Sequence, residues 1–326
     1  MTVFSSEYIN RVKGGFQGDS VEKVLRLQEL LKDFSGHPFI KDRIVLKGGT
    51  AINQFYSNLP RISVDIDLDY IGSADPEAMK QERPVLEKAM GDIFKGRKYD
   101  FEWGKDEHAG RKCELKYENF HRNKDRVKVD VNYLMRIPVI EPVKRKAFSF
   151  DEFNLEFPVL QIEELYAGKT KALLEREHPR DLYDLYRLFK GGTAINKDLW
   201  RLITILFCSS LRNDFRQYTF ARIASITESE INALLYPLLK TGERPGKEEM
   251  LSAVQPRITE LLSFKSNEKD YLDSLAGGVY DPVKLFGQGS LAEKLRKHPA
   301  LLWKEKNIKE YLAGGKKGIS LIRFIM

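Results

Sequence analysis

The sequence predicts an α/β domain with a mixed sheet over residues 1–158, followed by an all-α domain over 159–326. Three observations carry that expectation. In "RISVDIDLDYIG" and "RVKVDVNYL" apolar and polar residues alternate, the period of two that a strand with one buried face shows. Such strands stand among helical stretches up to Pro158, and beyond it only helical spacing continues. At 326 residues the chain is long enough for two separate cores.

In chain order, Val21, Val24, Leu25, Leu31 and Phe34 recur at helical spacing, and Asp19 or Ser20 can cap a helix over 19–34. The apolar run Ile44 to Leu46 is a short strand. It enters KGGTAIN at Lys47 to Asn53, where Gly48 and Gly49 permit a tight turn before a helix from about Thr50 to Ser57. Ile62, Val64, Ile66, Leu68 and Tyr70 then face one side of a strand, with Ser63, Asp65, Asp67 and Asp69 on the other. Asp75 and Pro76 begin a helical region that Pro84 is expected to interrupt. Two charged strands follow near 98–103 and 112–117, and in the next one Val127, Val129 and Val131 alternate with Lys128, Asp130 and Asn132. Gln161 to Arg176, Pro179 to Lys190 and Lys197 to Ser210 read as helices, with later breaks at Pro237, Pro245 and Pro282.

KGGTAIN occurs again at Lys190 to Asn196. There the flanks are helical: Lys190 falls in a last turn, Gly191 suits the left-handed position past a helix end, and Asn196 can cap the next helix. No acid pair like Asp65 and Asp67 follows within thirty residues. The second copy therefore reads as helix punctuation, and only the first has partners for chemistry.

Composition sets the class. Hydrophobic residues at 42% and charged residues at 31% are ordinary for a folded soluble chain and exclude disorder as the default. The apolar run Leu202 to Cys208 is far short of the ~20 residues of a spanning helix, and the first ten residues lack a basic start with an apolar stretch, so a cytoplasmic protein without membrane contact is expected. Cys113 and Cys208 are too few for a disulfide framework and lack zinc-ligand spacing. The net charge of +7 is concentrated after Pro282, where ten Lys or Arg oppose three Glu, leaving 44 of each sign elsewhere. Trp303, Tyr311 and Phe324 lie within this basic segment, a composition suited to a phosphate backbone.

The chemistry concentrates at Asp65 and Asp67. Aspartate is disfavoured in strands and like charges on one face repel, so a purely structural strand avoids this pattern and a bound cation is expected. Two carboxylates one residue apart on a strand face, with Asp130 from a neighbouring strand, suit magnesium or manganese together with nucleotide phosphates. The backbone N–H groups of Gly48 and Gly49, with the hydroxyls of Thr50 and Ser63, suit phosphate oxygens. Asp69 continues the acidic face and is expected to be surface charge. His178 is expected to begin a helix, and Asp181 to favour that helix's dipole with Arg180 pairing locally.

"LKGGTAINQFYSNLPRISVDIDL" resembles the first motif of the AbiEii/AbiGii nucleotidyltransferase toxins, members of the DNA polymerase β-like nucleotidyltransferase superfamily, and "GKTKALLEREHPRDLYDLY" is similar to that family's later motif. The likeness covers roughly residues 40 to 190. It implies a nucleotidyltransferase N-terminal domain, with Asp65, Asp67 and Asp130 as metal ligands, Lys169 as the nucleotide-contacting lysine and Asp184 as the acid of the later motif. It further implies an NTP substrate, an RNA acceptor such as tRNA, an antitoxin partner, and a role in toxin–antitoxin or phage-defence systems. The residues leave open a small-molecule or protein hydroxyl as the acceptor, or a nucleotide-binding module without turnover.

Overall fold

The computed structural model describes residues 4–150, 153–191 and 193–314. They fall into two units. One runs to Gln161 and includes Tyr236–Arg244; the other holds Ile162–Leu235 and the chain from Pro245.

The first unit opens with helices α1 (Ser6–Val12) and α2 (Gly18–Gly36). The cap expected of Asp19 or Ser20 is instead Gln17, with no side-chain cap bond, and Asp19 stands in the first turn where a carboxylate favours the dipole. Strand β1 (Ile44–Lys47) meets helix α3 (Gly48–Ala51), which widens into a π-helical turn over Ile52–Tyr56. Strand β2 is Asp65–Tyr70, shorter than the alternation suggested. Helix α4 (Pro76–Gly96) runs straight through Pro84, contrary to the expected break. An interior proline loses one helical hydrogen bond at a cost of ~3 kcal/mol, and the burial of Met79, Leu86, Met90 and Phe94 along α4 offsets it.

Strands β3 (Asp100–Trp103), β4 (Gly110–Glu118) and β5 (Lys124–Asn132) follow, then β6 (Val143–Lys146) and β7 (Glu156–Val159). The seven form one mixed sheet in the order β3-β4-β5-β2-β1-β7-β6. β2 pairs parallel with β5 and β1 parallel with β7; the other neighbours are antiparallel. Ile66, Leu68, Val127, Val129 and Val131 are buried on one face, where α2 and α4 also pack, Phe34 meeting Phe94 edge-on at 6.1 Å. The acids occupy the opposite face. β6 and β7 carry no readable alternation in the sequence: VKRK is almost all charge, and Pro158 sits within β7.

Tyr236–Arg244 is tied to the first unit by backbone bonds: the Ile62 amide donates to the Leu238 carbonyl (2.8 Å) and the Thr241 amide to that of Gly15 (3.0 Å).

The second unit is helical. It comprises α5 (Ile162–Arg176), α6 (Pro179–Lys190), α7 (Lys197–Cys208), α8 (Phe220–Ala224), α9 (Glu228–Leu234), α10 (Lys247–Leu262), α11 (Ser266–Ala276), α12 (Val283–Phe286), α13 (Ser290–Leu295) and α14 (Pro299–Ala313). Buried Arg201 on α7 joins three of these, pairing with Glu268 of α11 at 2.6 Å and donating to the carbonyls of Glu260 and Ser263 at the end of α10. No helix among the described residues is long and apolar enough to cross a membrane. Cys113 and Cys208 are buried free thiols.

The second KGGTAIN links α6 to α7, with Asn196 capping α7 by accepting the Leu199 amide at 3.0 Å. Gly191, expected in the left-handed region, instead has φ −82°. Its glycine is explained by space: a Cβ there would lie 2.5 Å from the Arg187 carbonyl oxygen that Gly191's own amide caps. Gly192 lies outside the described residues.

Several cations of the basic segment are engaged within the second unit. Lys304 donates to the Leu211 carbonyl, Arg296 binds Glu293 and Asp281, and Lys306 and Lys309 pair with Glu310 and Glu305. Lys316, Lys317, Arg323 and Phe324 lie outside the described residues.

Candidate active site

Strand register assembles the first cluster. Lys47 of β1 stands opposite Asp67 of β2, and Asp67 opposite Asp130 of β5, so one row crosses three neighbouring strands. Asp65, two residues before Asp67, shares its face, and Asp69 lies two residues beyond. Neighbouring strands sit ~4.8 Å apart, which keeps these carboxylates within strong mutual repulsion. Burial pushes the Asp130 carboxyl above its ordinary range, and Asp67 and Asp65 push it the same way against the pull of Lys112 and Lys47.

The glycine turn is built against this row. Gly48 has φ +71°, a conformation that costs other residues strain, and a Cβ there would lie 2.2 Å from Asp67 Oδ2. At Gly49 a Cβ would meet Ser63 Oγ and an Arg61 guanidinium nitrogen, each at 2.8 Å. The two glycines therefore let the turn close directly onto Asp67 and Ser63. Thr50 is fully buried, and its hydroxyl, expected to face phosphate, donates to the Asp65 carbonyl at 2.5 Å. It fastens α3 to the start of the acidic strand. Asn53, also buried, donates to the Gly49 carbonyl at 2.8 Å and steadies the turn from within.

Asp69 corrects an expectation. It is buried rather than surface charge, and Lys47 Nζ lies 2.5 Å from its Oδ1. Burial alone would lower the Lys47 ammonium's pKa, but Asp69, with Asp67 and Asp130 behind it, more than reverses this and holds the lysine protonated. The sequence reading missed the pair because the register of β1 against β2 is written in neither strand alone. The available signal was a lysine at the end of one strand beside a face of acids on the next.

The second cluster lies wholly within the helical unit. Lys169 on α5 points its Nζ to Asp181 (2.8 Å) and Asp184 (3.2 Å) on α6, and Arg176 closes on the other oxygen of Asp181 at 2.8 Å. Asp181 and Asp184 are one turn apart and so share a helix face. Both are buried. Asp181 stands in the first turn of α6 as expected, and its carboxylate serves Lys169 and Arg176, where local pairing with Arg180 was expected. Burial would raise it, yet those two cations hold it well below the usual carboxylate range. His178 caps α6 as expected, its Nδ1 accepting the Arg180 amide at 3.1 Å.

Oxygen donors from Asp65, Asp67 and Asp130 are the chemistry a hard divalent cation requires, and strand register gathers them on one face. Among the described residues no three His, Cys, Asp or Glu side chains are already drawn together as a closed ligand set. Gly48, Gly49, Ser63, Asp65, Asp67 and Asp130 are gathered on one face and turn of the first unit, while Lys169 and Asp184 are joined to each other in the second.

A search of curated proteins found no match. Among solved structures the fold is similar to MenT4, a nucleotidyltransferase toxin from Mycobacterium tuberculosis H37Rv, at TM-score 0.62 and 18% identity over 95% of this chain and 99% of that one. The family described as nucleotidyl transferase AbiEii toxin, type IV TA system, matches residues 29–265, which include both clusters and both copies of KGGTAIN. The chain belongs to the AbiEii nucleotidyltransferase toxins of type IV toxin–antitoxin systems.

Proposed function

We propose that this toxin transfers a nucleoside monophosphate from an NTP to an RNA acceptor, the 3′ end of tRNA, and arrests growth unless a cognate antitoxin neutralises it. The observation that carries the reading is the in-register row of Asp67 and Asp130, with Asp65 on the same face, closed by a glycine turn that only glycine fits. Asp65, Asp67 and Asp130 would hold magnesium or manganese, which when bound with the NTP activates the attacking hydroxyl and offsets charge on the leaving pyrophosphate. Gly48 and Gly49 keep the turn low enough for a triphosphate to approach the acids, and Ser63 offers a hydroxyl beside it. Thr50 and Asn53 hold that turn in place from the buried side. The acceptor oxygen bonds to the α-phosphorus as the bond to the bridging oxygen breaks, the hydroxyl proton passes to solvent water, and pyrophosphate leaves with the electron pair.

Incubating the protein with each labelled NTP, magnesium and total RNA tests this. Label should enter a tRNA band with the wild type, and Asp65→Asn should lower incorporation on the order of a thousandfold while leaving the melting temperature in place. Label appearing in a protein or small molecule and never in RNA would refute the acceptor. Lys169 is proposed to act on the nucleotide as the family likeness implies, so Lys169→Ala should raise the apparent KM for NTP. Because Asp181 and Asp184 lose their shared cation, that variant should also melt lower, by ~3 kcal/mol or more of stability. An unchanged KM with reduced stability would make the lysine purely structural.

A further inference from the structure

Lys47 is a basic side chain on the acidic face whose role the proposed chemistry leaves unassigned. It ends β1 directly before Gly48, stands in register with Asp67, and is anchored to Asp69. Asp69 is almost wholly buried, whereas Lys47 keeps about a quarter of its side chain exposed (5% and 26%). The anchor is thus buried, and part of the Lys47 side chain reaches the surface beside the carboxylates. Two properties make this pair unusual as a mere structural bridge. A lysine reaching only for Asp69 needs one acid, yet Lys47 stands opposite Asp67 in a row that continues to Asp130. Its neighbour Gly48 can carry no side chain, so nothing separates the base of Lys47 from the acid row.

We propose that Lys47 is a resident counter-cation of the acid row, beside Lys112 at Asp130, and that it exchanges the carboxylates for the triphosphate when metal and nucleotide enter together. The proposal rests on the reading of Asp65, Asp67 and Asp130 as metal ligands. In the free protein the ammonium offsets part of the repulsion among the carboxylates and so opposes a bare divalent cation. When the NTP arrives, its β- and γ-phosphates are the stronger partners for the ammonium. Lys47 then bears on the pyrophosphate side of the breaking bond, where it offsets the charge left on the departing oxygen as an electrostatic partner and gives up no proton. Asp69 is the positioning residue that holds the lysine ready.

This assignment makes two measurements move in opposite directions. Binding of Mn2+ alone, followed by electron paramagnetic resonance without nucleotide, should tighten roughly tenfold in Lys47→Gln, because one competing positive charge is gone. Transfer from NTP by the same variant should fall by roughly a hundredfold. A lysine serving only the fold would weaken both or neither, and either of those results overturns the proposal. Asp67→Asn is the control for the underlying reading: it should weaken Mn2+ binding. If wild type, Lys47→Gln and Asp67→Asn all bind Mn2+ alike, the ligand assignment itself fails; if only Asp67→Asn differs, the ligands stand and the role of Lys47 fails. Lys47→Met keeps the apolar stem and replaces the glutamine variant if that one melts early.

Discussion

The two copies of KGGTAIN are identical in sequence and opposite in structure. At the first, Gly48 takes φ +71° and its missing side chain is the space that Asp67 fills. At the second, Gly191 takes φ −82° and its missing side chain is the space a helix carbonyl fills. The first threonine, Thr50, is buried and bonded to the acidic strand, whereas its counterpart Thr193 is half-buried in the connection between two helices. The same seven letters thus make a turn closed onto a carboxylate when a strand precedes them and acids follow, and helix punctuation when helices flank them. Glycine supplies permission, and the neighbouring elements decide what it permits.

The most forceful way to break this contrast is Gly48→Ala. It places a methyl group at φ +71° against a carboxylate, so transfer should fall on the order of a hundredfold or more, with a stability loss of ~1–3 kcal/mol read by denaturant melting. Wild-type transfer by Gly48→Ala would mean that Asp67 does not need that space. Thr50→Val is nearly the same shape and removes only the bond to the Asp65 carbonyl. It should cost ~1–2 kcal/mol and lower transfer, because the acidic strand loses its tie to α3. A variant as active and stable as the wild type would show that the tie is dispensable.

The helix leading into the second copy offers a subtler test through His178, whose imidazole burial, aided by Arg180 and opposed by Asp181, lowers from 6.5 to about 4. Between those two pH values the unfolded chain binds a proton that the folded one refuses, so stability falls as pH drops through that window. His178→Asn keeps a cap acceptor and removes the titration, so the decline between pH 6.5 and 4 should flatten. Asp181, held low by Lys169 and Arg176, contributes its own loss only below the ordinary carboxylate pKa, outside this window. An unchanged pH profile in His178→Asn would remove the imidazole from the account. Smallest of all, Thr193→Ala should leave stability within ~0.5 kcal/mol and transfer intact. A loss of transfer by that variant in a folded protein would give the second copy a chemical role after all.

Much of this was legible in the chain. The helices over 162–176 and 179–190 and the strands around Asp67 and Asp130 follow from periods that short-range side-chain geometry enforces. So does the sidedness of Asp65 and Asp67, since a strand alternates whatever it packs against. The expected break at Pro84 did not occur because buried contacts along α4 outweigh a local penalty that the sequence displays more plainly. β6 and β7 went unseen because VKRK is almost all charge and EFPV holds a proline, so neither shows an apolar run or an alternation.

What the sequence by itself determined was therefore which residues could share a face, and which positions could tolerate a turn. Only the tertiary structure decided which faces meet. The register that sets Lys47 beside Asp67 and Asp67 beside Asp130, the burial that turns Asp69 from surface charge into an anchor, and the return of Tyr236–Arg244 to the first unit all depend on pairings between segments far apart in the chain. Hydrogen bonds between strands and the exclusion of water select those pairings, and the identity of the partner segment is not written in the few residues on which either acts.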